Sequence, residues 1–158
     1  MERAEFARPL PGIGSIDGGY WRNMNSSFAV ILLLALLWPF SSGKTIQMTA
    51  NNSVPAASGT IHVQQNKKNG NTNLDIKVNN LAAPSSLTPS EEVYIVWVRP
   101  NGQAAIKKGA IGVGSNLQGE LKAATVSRNF EVLITAEQSA HVTAPSDVEV
   151  LKAHVSLS

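Results

Sequence analysis

The run Val93-Tyr94-Ile95-Val96-Trp97-Val98 constrains this chain more than any other stretch. Six consecutive β-branched or aromatic residues offer no polar side to water, so they predict a strand buried on both faces. Pro100-Asn101-Gly102 supplies the turn chemistry that ends it. Tyr94 and Trp97 are the only Tyr and Trp after Ser41, so much of the aromatic area available to a core lies in this strand. A second strong run, Phe130 to Ala136, contributes Ile134 as a third predicted core residue.

Charged residues make up 15% of the 158 and the net charge is +2. This lies well below the roughly 25% charged content of an average globular chain, and no basic face is visible in sequence. Nucleic-acid binding therefore has no support. The absence of cysteine excludes a disulfide framework, a cysteine nucleophile and a thiolate metal site.

Phe28 to Phe40 is an uncharged apolar run of thirteen residues. That is short of the roughly 20 a membrane-spanning helix needs and fits the core of a signal peptide. Small residues at Ser41 and Gly43 predict cleavage between Gly43 and Lys44. A retained short anchor and a core element are the other readings of this segment. The organisation is then an N-terminal extension with signal or anchor over residues 1–43, and a domain over 44–158. Residues 1–23 show no period, and Met24 is a second candidate start.

Past Lys44 the pattern is that of strands and turns. Lys44 to Ala50 is a first strand; Gly59 to Gln65 and Leu74 to Asn80 follow, the latter alternating strictly through Leu74, Ile76 and Val78. Between them Asn66-Lys-Lys-Asn-Gly-Asn71 is the clearest hairpin signal, and one face of that hairpin should be wet. Leu81 to Glu92, with Pro84 and Pro89, reads as a long crossing loop. Ala104 to Val113 reads as one strand bent at Gly109 and Gly112, and Glu120 to Ala124 has no definite type. Phe130 to Ala136 and Val148 to Leu157 complete seven or eight strands. The predicted fold is all-β, an immunoglobulin-like antiparallel β-sandwich.

Tyr94-Ile-Val-Trp97, followed by Gly102, Gly109 and Gly119, then Ile134-Thr-Ala-Glu137 and Pro145, resembles the C-terminal extracytoplasmic domain of the anti-sigma-K factor family. The similarity covers roughly residues 59–155 and rests mostly on structural residues. It implies a sandwich on the outer side of a bacterial cytoplasmic membrane. Members of that family carry a long cytoplasmic sigma-binding region, often with His and Cys zinc ligands. Here 27 residues precede the apolar run and there is no cysteine, so the resemblance implies an outer domain used alone.

Chemistry is hard to assemble from these residues. His62, His141 and His154 lack ligand spacing, and no serine lies in a nucleophile-elbow motif. Gly112-Val-Gly114 has no following helix and fails as a phosphate loop. Glu91 and Glu92 before the central strand and Glu137 after a strong one are the residues for a small acidic patch, a weak cation-site candidate. No catalytic residue, cofactor or metal is predicted. The expectation is a non-enzymatic exported bacterial protein, periplasmic or extracellular, that binds an unknown envelope protein. It would touch the membrane only through Phe28 to Phe40, if that segment is uncleaved. The alternative is a secreted structural or surface-assembly subunit.

Overall fold

A computed structural model of the chain describes residues 43–158. The predicted signal segment Phe28 to Phe40 lies outside the described residues, within which no helix is long and apolar enough to cross a membrane. Eight strands follow one another: β1 (Lys44–Ala50), β2 (Ser58–Gln65), β3 (Thr72–Asn79), β4 (Val93–Pro100), β5 (Ile106–Ile111), β6 (Gly119–Thr125), β7 (Asn129–Glu137) and β8 (Glu149–Ser156). One short helical turn at Pro84–Ser86 interrupts the long loop between β3 and β4.

Every ladder is antiparallel, and the strand order is β5-β4-β7-β8-β1-β2-β3-β6. The described residues thus form an all-β sandwich made from one nearly closed sheet. The β5-β4-β7-β8 layer runs in the order C′-C-F-G of an immunoglobulin variable domain. β1 joins the layers: Lys44 to Met48 pair with β2, whereas Thr49 and Ala50 pair with Lys152 and Leu151 of β8.

Alternation in the sequence becomes alternation in space. Ile61 and Val63 of β2, and Leu74, Ile76 and Val78 of β3, point inward and are buried. They meet Tyr94, Val96 and Val98 of β4 and Phe130, Val132 and Ile134 of β7 in one core. The β2–β3 turn closes as its asparagines dictate. Asn66 N donates to Asn71 O at 2.8 Å, and Asn66 Oδ1 accepts from Lys68 N at 3.0 Å. Gly70 supplies the left-handed backbone, with φ of 72°.

Two stretches differ from the sequence expectation. Glu120 to Ala124 belongs to a definite strand, β6, because the ladder Thr72↔Thr125 to Val78↔Gly119 holds it against β3 despite its single large apolar residue, Leu121. β5 is shorter than Ala104 to Val113 and carries its irregularity at Lys108 and Gly109, where Val96 pairs with Gly109 but Trp97 pairs with Lys107. β5 and β6 are the two edges of the sheet, and their backbones meet at the turn between them. A Cβ on Gly119 would lie 2.5 Å from the Gly112 carbonyl oxygen, so only glycine allows that approach.

Candidate functional site

His62, Gln64, Asn73, Asp75 and Lys122, on the outward side of β2, β3 and β6, line an open groove of about 590 Å³ together with Leu74, Ala123 and Ala124. Register places His62 opposite Asp75, and Asp75 opposite Lys122, so three ionisable residues stand in one row across three strands. Gln64 and Asn73 form the next row. The Gln64 amide nitrogen lies 3.2 Å from His62 Nε2 and can only donate, which leaves His62 Nδ1 to donate to Thr45 Oγ1 at 3.2 Å. This imidazole is therefore held on both sides. Gly43 packs on the same ring, where a Cβ would collide with His62 Cε1.

Asp75 is the group that sets this groove apart. Its Oδ1 is buried and accepts no hydrogen bond from any described residue. An acceptor withdrawn from water without a donor costs about 1–3 kcal/mol, so a partner offering an N–H, O–H or cation there recovers that cost. Lys122 does not satisfy it; its Nζ lies 3.7 Å from Glu120 Oε1, and Lys77 lies 3.9 Å from the other oxygen of Glu120. Those pairs are exposed and weak. A wide, open groove of mixed polar and apolar lining suits an extended segment of a partner better than an enclosed small ligand.

The outer face of the other layer is closed. Ile95, Trp97 and Leu133 form a second apolar cluster on the side of β4 and β7 away from the main core, with Val142 and Ala105 packed on it. The loop over residues 138–148 is tied down across it. Trp97 Nε1 donates to Thr135 Oγ1 at 2.8 Å, and Thr135 Oγ1 donates to Glu137 Oε1 at 2.5 Å. Ser146 N donates to the same carboxylate oxygen at 2.9 Å, and Ser146 Oγ donates to Ala136 O at 2.9 Å. Lys107 Nζ donates to Ala140 O from the far side. In this relay Trp97 Nε1, Thr135 Oγ1, Glu137 Oε1 and Ser146 Oγ all have partners, so its role is architectural.

The acidic residues near this clamp do not make a cation site. Glu91 and Glu137 are buried, and Glu137 Oε1 is already committed to Thr135 and Ser146. Among the described residues no three His, Cys, Asp or Glu side chains come together as a metal would require.

Tyr94, Trp97 and Ile134 are fully buried, and none lines the groove. Tyr94 and Trp97, three apart on one strand, point to opposite faces and enter different clusters. The Tyr94 hydroxyl donates to Ala82 O at 2.9 Å, and burial pushes its pKa up to about 12. Gly43 borders the groove through His62, and Lys44 opens β1. His62, His141 and His154 stand on β2, the 138–148 loop and β8 and form no common site.

No known protein-family model and no curated protein matches this chain. Its groove residues must therefore be read on their own chemistry. Sequence reasoning missed them. The available signal was the run Asn73, Asp75, Lys77, whose outward positions all bear hydrogen-bonding or charged groups. Lys122 gave none, because its strand was not recognisable before its pairing with β3 was known.

Proposed function

We propose that this chain is a non-enzymatic binding module of the bacterial cell envelope, exported by its N-terminal apolar segment, with the β2-β3-β6 groove as its docking face. The observation that carries this reading is Asp75 Oδ1, a buried acceptor without a donor in the middle of the groove. The resemblance to the outer domain of anti-sigma-K factors agrees with a sensing or protein-binding role. Docking in the groove is favoured over strand addition, because β5 and β6 converge at their shared turn and Leu121 packs beside Gly109 across the seam.

Site-specific photocrosslinking in the envelope of a bacterial host tests this. A photoreactive residue at Asn73 should give a discrete adduct that disappears with Asp75→Lys, while the same residue at Lys152, on the opposite layer, should give none. Equal crosslinking at both positions, or an adduct indifferent to Asp75→Lys, would refute the groove. N-terminal sequencing of the fractionated protein tests export separately: a soluble chain beginning at Lys44 or a membrane species retaining Phe28 to Phe40 agrees with it, and an uncleaved cytosolic chain does not.

A further inference from the structure

The two ends of the sandwich carry opposite charge. At one end lie the start of β1 and the turns β2–β3, β4–β5 and β6–β7; Thr72 Oγ1 donating to Ser127 O at 3.3 Å and Asn101 N donating to Asn129 O at 3.2 Å hold them together. Lys44, Lys67, Lys68, Lys108 and Arg128 stand at this end, and none has an ion-pair partner among the described residues. Of the two carboxylate side chains nearest this end, Glu131 is engaged by Arg99 at 3.1 Å, and Asp75 stands one row in from Lys44 on the groove face. At the other end the connecting loops over residues 51–57, 80–92, 112–118 and 138–148 contain Glu91, Glu92 and Asp147 and not one Lys or Arg.

The basic end is also where apolar side chains remain in water. Of the three large hydrophobic residues exposed among the described residues, Val126 (79%) and Ile106 (46%) lie here, bordering a shallow depression with Lys108 and Pro100. The described chain begins at this end as well, three residues after the apolar run that closes at Phe40. Unpaired cations around exposed aliphatic side chains, at the point where an apolar segment joins, match the interface of an anionic bilayer.

We infer that this basic end rests on an anionic phospholipid surface, with Lys67, Lys68 and Arg128 contacting headgroups and Val126 entering the interface. The inference does not depend on what the groove binds. It orients the β2-β3-β6 face side-on to the membrane and turns the acidic loops away from it.

The chain lacks cysteine, so single labels can be placed cleanly. Full-length protein carrying an environment-sensitive fluorophore at Val126→Cys is reconstituted in vesicles of phosphatidylcholine, with or without 30% phosphatidylglycerol, and compared with the label at Leu117→Cys. A lipid-borne quencher should reach the first label and not the second, only with the anionic lipid, and 0.5 M salt should reverse this. Lys67→Gln/Lys68→Gln/Arg128→Gln should shift the docked-to-free ratio on the order of 100-fold, since each cation contributes about a factor of five at such a surface. The equal-charge control Lys77→Gln/Lys122→Gln/Lys152→Gln should leave docking intact. Equal quenching at both labels, indifference to the anionic lipid, or equal loss in both triple variants would overturn the proposal. A response at Val126→Cys to polyglutamate without any response to phosphatidylglycerol would also overturn it, replacing the membrane with an acidic protein.

Discussion

In the middle of β3 the outward positions are Asn73, Asp75 and Lys77; in the middle of β4 they are Ile95 and Trp97, with Val93 and exposed Arg99 at the ends. The first layer can leave its outer face in water, and its hydrogen-bonding groups become a groove. The second cannot, and the chain commits the loop 138–148 to covering it. The contrast separates two kinds of buried polar group. Thr135, Glu137 and Ser146 satisfy one another and lock a cover in place. Asp75 Oδ1 pairs with nothing among the described residues and so is open to a donor from outside them.

The sharpest way to break this contrast is to remove what the cover protects. Trp97→Ala should lower stability by about 3–5 kcal/mol, the range for emptying a buried aromatic site. Urea unfolding measures it, and a loss under about 1 kcal/mol would mean that the outer cluster is not a second core. Hydrogen exchange at Ser146 and Val148 should accelerate in the same variant, because the loop loses the surface it packs on.

Glu137→Ala comes next. It strands the Thr135 hydroxyl and the Ser146 amide, and should cost about 1–3 kcal/mol by the same unfolding assay. An unchanged midpoint would show that the clamp is not what holds the loop.

Tyr94→Phe, on the inner side of β4, should cost about 1 kcal/mol for its bond to Ala82 O. Its ionisation adds a pH signature. The folded state holds the phenol neutral up to about 12, whereas the unfolded chain releases the proton near 10. Stability is therefore unaffected below about pH 10 and falls between about 10 and 12 as the unfolded state loses protons. The late-ionising component of the absorbance titration at 295 nm should vanish in Tyr94→Phe.

Asp75→Asn should move stability least, within about 0.5 kcal/mol and toward greater stability, because an unpaired carboxylate is replaced by a neutral amide. A large destabilisation would mean that Asp75 is structural and that the two layers do not differ as argued.

The strands of the core were legible because burial on one face writes a period of two into β2, β3 and β8. The β2–β3 turn was legible for a local reason too, since Asn66 and Gly70 carry its geometry within six residues. The cover on β4 was only half legible. An unbroken apolar run states that both faces must be buried without saying by what, and nothing in the loop from Gln138 to Val148 marks it as a lid. The groove was less legible still, because Asp75 meets Lys122 through a ladder between strands more than forty residues apart.

Sequence alone determined the all-β class, most strand positions and the burial of Tyr94, Trp97 and Ile134, since these follow from side-chain periodicity and β propensity along neighbouring residues. Only the tertiary structure decided which strands became edges, that Trp97 sits under a loop and not in the central core, that Asp75 is stranded between His62 and Lys122, and that the cations gather at one end. These depend on register and on the direction in which each strand leaves its turn. Both are settled by cross-strand pairing between distant parts of the chain, and no local pattern encodes them.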